Sequence, residues 1–234
     1  MLTELMSITP QKTKKISHRQ IKDILYEQVA RIGKAASSPK RLELLELLCQ
    51  GEMNVEQLAL EAQISVKLTS AHLGVLKSVG MVNTRRAGKN IFYRLSDINV
   101  ANFWVNIRSL AENRLHDLQV ALRDLVSNKI KLAPIDRNEL LRDAANGKLV
   151  VIDVRTTNEY NSGHLPFARS IPLSELKQRM IELPTDKTIV AYCRGPFCLL
   201  ANEAVNLLEK SGHRAIKLDD GVAEWQSLGF LLSN

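Results

Sequence analysis

The feature that most constrains the fold is a change of hydrophobic period near the middle of the chain. Before about residue 128, apolar residues recur with the spacing of amphipathic helices, as in the stripe along residues 18–36. After about residue 136, the runs KLVVIDVR and TIVAYCR are short, almost continuously apolar and rich in β-branched residues, which is typical of strands in a parallel sheet. Pro134 lies between the two patterns and opposes helix continuation. The sequence therefore predicts two domains, the first mainly α and the second α/β.

The predicted boundaries follow from these patterns. The 234 residues are enough for two domains of ordinary size. We expect a flexible N-terminal arm over 1–17, a first domain over 18–127, a linker over 128–135 and a second domain over 136–234. The sequence has neither an 18-residue apolar run nor the basic-then-apolar order of a secretory signal. The expected location is the cytoplasm, with no membrane partner.

The charge is distributed unevenly between the two halves. Up to Ala133 there are 20 Lys and Arg against 12 Asp and Glu, whereas the remainder has 12 against 13. A basic half joined to a nearly neutral one favours a polyanion as the ligand of the first domain, although solubility alone could produce the same imbalance.

The first domain has the predicted element order of a helix-turn-helix followed by a wing. After the helix over 18–36, further helices are predicted over 39–50, 55–62, 66–79 and 99–127. Ser38 and Ser65 are candidate N-caps. Two extended runs flank Ala87-Gly88-Lys89-Asn90, which predicts a β-hairpin. In this arrangement the second helix of the motif lies in the major groove.

The candidate DNA contacts lie on the predicted recognition helix and on the hairpin. They are Lys67, Thr69, Ser70, His72, Lys77, Arg85, Arg86 and Lys89. Small and basic outward residues let a helix approach DNA closely, and cationic hairpin side chains suit phosphates or the minor groove. The spacing of Thr69 also suits the core. A histidine at the position of His72, beside the core, more often forms a hydrogen bond inside the domain than contacts a base.

The segment from Ser38 to Leu95 resembles the ArsR family of winged-helix repressors, and the resemblance extends over about 18–127. It rests on Pro39-Lys40-Arg41-Leu42, Ser65, Ser70, His72-Leu73, Leu76, Gly80, Arg85-Arg86 and Tyr93-Arg94-Leu95. It implies a homodimer, formed by the first and last helices of this domain, on double-stranded operator DNA. Many relatives hold a metal through paired cysteines, but NVEQLA contains none and His116-Asp117 alone cannot complete a zinc site. No metal and no other cofactor is expected.

The second domain places two of the chain's three cysteines in one short loop, AYCRGPFCLL. A thiol at Cys193 would face loop N–H groups and the positive end of the next helix, both of which favour a thiolate. The loop therefore predicts a reactive nucleophile at Cys193, with Arg194 attracting an anionic sulfur donor. Cys198 either links to a modified Cys193 or packs at the helix start. Asp153 and Arg155 are expected to anchor the loop region through hydrogen bonds.

The segments VIDVRTTNEYNSGHLPFARSIPLSEL, AYCRGPFC and LDDGVAEWQSLG together resemble a rhodanese domain over about 136–232. The resemblance implies a persulfide on Cys193, with thiosulfate, polysulfide or a low-molecular-weight persulfide as the sulfur donor. Phosphatase or arsenate reductase chemistry would need an arginine six residues after the nucleophile, where Leu199 stands. The loop differs from typical rhodaneses at three positions, Gly195, Pro196 and Cys198.

The sequence is compatible with two functions. One is a DNA-binding transcriptional regulator, by its resemblance a repressor, whose second domain senses reactive sulfur or redox state through persulfidation or oxidation of Cys193. The other is a sulfurtransferase that works through a Cys193 persulfide and uses the first domain for localisation or dimerisation.

Overall fold

The computed structural model describes residues 16–126 and 136–234. The predicted linker over 128–135 lies outside the described residues, as does nearly all of the predicted arm over 1–17. A mainly α domain is followed by an α/β domain with a parallel sheet, which confirms the predicted fold class.

The first domain consists of six described helices and a small antiparallel sheet. The helices are α1 (His18–Ala36), α2 (Pro39–Leu48), α3 (Val55–Glu61), α4 (Val66–Ser78), α5 (Ile98–Arg114) and α6 (His116–Val126). The strands are β1 (Met53–Asn54), β2 (Val82–Ala87) and β3 (Asn90–Leu95), in the order β1-β3-β2. The β2–β3 hairpin has the predicted turn, because Ala87 pairs with Asn90.

Local signals in the sequence account for the helix-turn-helix. Ser65 caps α4 by accepting a hydrogen bond from the Leu68 N–H at 3.2 Å, and Gly80 has the positive φ of 75° that lets the chain leave the helix. The motif packs on a core of fully buried leucines: Leu44, Leu45, Leu58, Leu73 and Leu76.

The predicted long helix over 99–127 is wrong in one respect, because the chain breaks at Leu115. There φ is −100° and ψ is 107°, which separates α5 from α6. The Gln119 side chain donates a hydrogen bond of 2.8 Å to the Glu112 carbonyl, which lies in the last turn of α5. The apolar spacing continues across the break, so the periodicity could not reveal it.

The second domain is built on a four-stranded parallel sheet in the order β5-β4-β6-β7. Its elements are α7 (Arg137–Ala145), β4 (Leu149–Asp153), α8 (Thr157–Ser162), β5 (Arg169–Ser170), α9 (Leu173–Arg179), a 3₁₀ turn (Met180–Glu182), β6 (Thr188–Tyr192), α10 (Leu200–Lys210), β7 (Arg214–Lys217) and α11 (Val222–Ser227). The two predicted strands are β4 and β6, which are neighbours at the centre. The carboxyl ends of such strands are the usual place for a site in a parallel sheet.

The two domains are docked against each other through this edge of the sheet. Helix α5 packs on α11, and Arg108 of α5 forms a buried ion pair of 2.7 Å with Glu224 of α11. Gly51, after α2, has no room for a side chain, since a Cβ there would lie 2.6 Å from Ser162 Oγ. The helix-turn-helix domain therefore contacts the loops that follow the central strands. In the described ranges, no helix combines the length and the apolar character that crossing a bilayer requires.

Candidate DNA-binding surface and sulfur loop

The recognition helix α4 presents three of its predicted DNA contacts to solvent. Lys67, Ser70 and Lys77 are exposed, whereas His72 is half-buried. Thr69 is fully buried and donates a hydrogen bond of 3.0 Å to the Ser65 carbonyl. The candidate role of Thr69 in DNA contact is therefore wrong, because its side chain belongs to the core of the domain.

The hairpin adds cations beside this helix. Arg86 and Lys89 are exposed next to its turn. Arg85 is different, because Glu52 accepts two hydrogen bonds from its Nε and Nη2, at 2.9 and 3.0 Å. Its charge is thus partly offset inside the domain, which leaves Arg86 and Lys89 as the less constrained cations of the wing.

An apolar face of α1 is left uncovered in the single chain. Its large apolar side chains are between 45% and 69% exposed: Ile21, Ile24, Leu25, Tyr26 and Val29. A contiguous exposed apolar surface of this kind marks an interaction site.

The sulfur loop follows β6 and lies between the two domains. Cys193 is the first residue of the loop and is only 1% exposed, whereas Cys198 is half-buried. The Cys193 thiol donates to the Cys198 carbonyl, with 3.4 Å from Sγ to the oxygen. Gly221 lies against the loop, and a Cβ there would come within 2.9 Å of the Cys193 carbonyl oxygen. The loop is thus held closely on both of its sides.

The pKa values of the two thiols are shifted in opposite directions. Burial raises the pKa of Cys193 well above its ordinary value, and the neighbouring Cys198 raises it further. The hydrogen bond from Cys193 lowers the pKa of Cys198 to about 6, against the effect of burial and with help from backbone hydrogen bonds of Arg194 and Leu200. The burial of Cys193 thus favours its thiol form, and Cys198 is the thiol whose pKa is lowered.

Arg194 lies between carboxylates of both domains. Its Nε is 2.6 Å from Glu159 of α8, and its Nη1 is 2.7 Å from Glu61 at the end of α3. Although burial works against the charge, these carboxylates raise the pKa of Arg194. Only 13% of the side chain is exposed. The predicted role of attracting an anionic sulfur donor does not fit a guanidinium that is already paired twice.

Asp153 and Arg155 anchor the loop region, as predicted. They form a fully buried ion pair of 2.6 Å, and the Tyr192 hydroxyl donates to Asp153 from the end of β6. Arg155 also donates a hydrogen bond of 3.0 Å to Gln50 Oε1, across the interface between the two domains, which we call the seam. The anchor of the sulfur loop is therefore also a contact with the helix-turn-helix domain.

Several polar residues of the seam had no signal in the sequence. They are Glu46, Gln50, Glu61, Arg108 and Glu224, which meet around the sulfur loop. Burial raises the pKa of Glu46 to about 7, and Arg108 opposes the shift. Isolated charged residues on amphipathic helices are normally solvated, so only the docking of the domains identifies them. Throughout residues 16–126 and 136–234, no three His, Cys, Asp or Glu residues come together as a metal site.

A winged helix-turn-helix joined to an α/β domain with a cysteine loop defines a two-domain DNA-binding regulator. The bacterial regulatory protein family arsR matches residues 38–84, and the rhodanese-like domain matches residues 136–228. The HTH-type transcriptional regulator Rv0324 of Mycobacterium tuberculosis is 40% identical over 208 residues, which cover 89% of this chain and 91% of that protein. The chain belongs to the ArsR family of transcriptional regulators and carries a rhodanese-like domain after its DNA-binding domain.

Two shorter similarities concern the first domain alone. The biofilm growth-associated repressor of Agrobacterium fabrum is 42% identical over 74 residues, which cover 32% of this chain and 63% of that protein. A homodimeric winged helix-turn-helix DNA-binding domain from Mycobacterium bovis, solved by NMR, is 39% identical, with a TM-score of 0.40, and the match covers 43% of this chain and 92% of that one.

Proposed function

We propose that this regulator is a repressor that senses reactive sulfur through the Cys193–Cys198 pair. The observation that carries the proposal is the position of Arg194, which follows Cys193 in the chain and bridges Glu61 and Glu159. Glu61 ends α3, the helix before the recognition helix. A chemical change in the sulfur loop is thus one residue away from a contact with the helix-turn-helix.

The first reaction is assigned to Cys198, because it is the less buried thiol and the one with the lowered pKa. Its thiolate attacks the outer sulfur of a persulfide, R–S–SH, so that Cys198–S–SH forms and RS⁻ leaves. The same attack on a polysulfide releases a chain one sulfur shorter. This order reverses the roles expected from the sequence, in which Cys193 reacts first.

The second reaction joins the two cysteines. The sulfur of Cys193 attacks the inner sulfur of Cys198–S–SH and expels the outer sulfur, which leaves as hydrogen sulfide with the proton from Cys193. A disulfide between Cys193 and Cys198 remains. The two thiols lose two electrons and the transferred sulfur gains them, so the donor itself is the only oxidant. The hydrogen bond of Cys193 to the Cys198 carbonyl supports this pairing.

The effect on DNA follows from the tight packing of the loop. A new bond inside this loop, which rests on Gly221, would change its backbone, and Arg194 belongs to that backbone. Loss of the Arg194–Glu61 contact would favour a second placement of the helix-turn-helix. A coupling of about 1–3 kcal/mol would change DNA affinity by roughly 5- to 150-fold.

A homodimer completes the proposal. The exposed apolar face of α1 suits a twofold contact that α6, with half-buried Leu118 and Leu122, would extend. Two recognition helices would then read half-sites about one helical turn apart on operator DNA.

The test measures binding to the DNA segment upstream of the protein's own gene, before and after polysulfide treatment. We expect weaker binding of the treated wild type, with a mass two hydrogens lower, and no change for Cys193→Ser or Cys198→Ser. Equal weakening in both variants would contradict sensing by this pair. Steady turnover of thiosulfate without sequence-specific DNA binding would instead favour the sulfurtransferase.

A further inference from the structure

A separate cavity lies in the seam between the domains, beside the sulfur loop. It has a volume of about 570 Å³ and opens between α2, α5, α6 and Phe197. Pockets of this size at domain boundaries commonly hold small molecules. We propose that this cavity binds a small molecule with an apolar body and a protonated amine.

The apolar walls of the cavity favour a ligand with an apolar body. They are formed by Leu42, Trp104, Ile107, Ala111, Leu118 and Phe197. The rings of Trp104 and Phe197 meet edge to face, with centroids 6.2 Å apart and planes at 80°. Such a pair presents an aromatic corner against which a ring or a branched chain can pack.

A buried carboxyl group in the wall favours a ligand with a protonated amine. Glu46 lines the cavity, and its Oε1 is buried without a hydrogen-bond partner among the described residues. A buried oxygen of this kind requires a donor. A protonated amine would supply both the hydrogen and the opposite charge, whereas an ether, a hydrocarbon or an anion would supply neither.

The neighbouring charges favour a cation as well. Arg108 also lines the cavity, but Glu224 lies 2.7 Å and Glu112 3.1 Å from its guanidinium nitrogens. Glu43, the remaining carboxylate of the lining, is paired with Lys40 at 2.8 Å. Among the described residues, no cationic side chain forms an ion pair within 4.0 Å of the Glu46 carboxylate. The charge of Arg108 is already offset by two other carboxylates.

The position of the cavity means that a bound ligand would affect how the two domains are docked. Trp104 and Leu42 belong to the first domain, whereas Phe197 belongs to the sulfur loop, so a bound molecule would touch both domains at once. It would stabilise their docked arrangement. Cys193 and Cys198 are not among its lining residues, so this site does not depend on the sulfur chemistry proposed above.

The experiment titrates the full chain with 2-phenylethylamine and follows tryptophan fluorescence. Trp104 lines the cavity, while the chain's other tryptophan, Trp225, is fully buried in the second domain. We expect saturable binding that is about tenfold tighter than for 2-phenylethanol or 3-phenylpropanoate, because a charge-assisted hydrogen bond is lost with either. Trp104→Phe should remove the response.

Two matched variants decide whether Glu46 carries the preference. Glu46→Gln is expected to reduce the affinity for the amine to that for the alcohol, whereas Glu43→Gln should leave both unchanged. An amine preference that survives in Glu46→Gln would overturn the proposal, as would equal affinities of the wild type for amine and alcohol. Absence of any fluorescence response to the amine would overturn it too.

Discussion

Arg194 Nη1 lies 2.7 Å from Glu61 Oε2, and this ion pair joins the residue after Cys193 to the last residue of α3. The side chains of Arg194 and Glu61 are 13% and 32% exposed, so the pair is screened less than one on an open surface. Gln50 reinforces the link, because its Nε2 donates to the Arg194 carbonyl at 3.4 Å. The geometry gives the sulfur loop a polar contact with the DNA-binding domain that can be tested by substitution.

Replacing Glu61 by Gln should mimic the sulfur-treated protein. The variant lacks the ion pair whose loss is the proposed signal, so we expect the untreated variant to bind its DNA about as weakly as the polysulfide-treated wild type, and polysulfide to weaken that binding further by less than about threefold. Fluorescence anisotropy with labelled DNA measures both. Glu56→Gln, in the exposed first turn of the same helix, is the control and should respond like the wild type. A full response in Glu61→Gln would show that the signal takes another route.

The acidity of the two thiols predicts a pH profile for alkylation. With the pKa of Cys198 lowered to about 6, iodoacetamide should label this residue with a midpoint near that pH. Cys193→Ala should raise the midpoint, because the hydrogen bond from Cys193 is the largest cause of the lowered pKa and alanine has no donor. Peptide mass mapping assigns the site. Cys49 should react slowly throughout, since burial raises the pKa of its thiol. A wild-type midpoint near that of free cysteine, about 8.5, would contradict the assignment.

Because the pKa of Glu46 is raised, we expect the free energy of unfolding of the chain to decline as the pH rises. Its pKa is about 7 in the folded chain against 4.5 for an ordinary glutamate, so the folded state binds the proton more tightly. Stability is therefore lost as the pH rises from about 4.5 through 7. Glu46→Gln should raise the free energy of unfolding at pH 8 by about 1–3 kcal/mol, and by much less at pH 5.

Urea denaturation at the two pH values measures this difference. Glu43→Gln serves as the control, because Glu43 and Lys40 form a pair with 38% and 39% of their side chains exposed. Its effect should be small and similar at both pH values. If Glu46→Gln destabilises the chain equally at pH 5 and 8, the raised pKa is not what limits stability there.

The wing predicts a salt-dependent contribution from Arg86. Arg86 is exposed at the hairpin, and its replacement by Ala should weaken binding to all DNA sequences and reduce the slope of log K against log salt by about 0.9. Arg85→Ala should change the slope less, because Glu52 already offsets the charge of Arg85. Titrations at several salt concentrations provide the slopes. Equal slopes for Arg86→Ala and the wild type would place Arg86 away from the phosphates.

The exposed face of α1 predicts the effect of a charge on assembly. Leu25 is 61% exposed in the single chain, and Leu25→Glu should shift the protein from dimer to monomer in analytical ultracentrifugation. Specific DNA binding should weaken with it. Glu27→Gln, on the same helix but outside the apolar stripe, should leave the dimer intact. A dimer that persists in Leu25→Glu would place the contact elsewhere.

The elements with strong local signals could be predicted from the sequence. Ser65 caps α4, Pro39 begins α2, and the turn between β2 and β3 lies at Gly88-Lys89, because capping residues and turn residues act within a few positions of themselves. The strands β4 and β6 were recognised by their continuous apolar runs for the same reason.

The residues of the seam could not be predicted in this way. Gln50 and Arg155 are 105 positions apart, and nothing in the neighbourhood of either indicates the other. The burial of Cys193 also has no local signal, because Cys193 packs in the core of its own domain with residues that are distant in the sequence, such as Ile152 and Ile171. Local patterns predict the reactive loop, but the acidity of each thiol depends on its burial and on the contact between the two cysteines in the folded loop.

The glycine beneath the sulfur loop also limits how this module can be engineered. Gly221 has an ordinary φ of −108°, so its lack of a side chain answers a demand for space and not for an unusual backbone. A graft of this loop into another rhodanese-like scaffold would have to transplant that glycine with it. With an alanine in its place, the donor loop could be copied residue for residue and still not settle into its original shape.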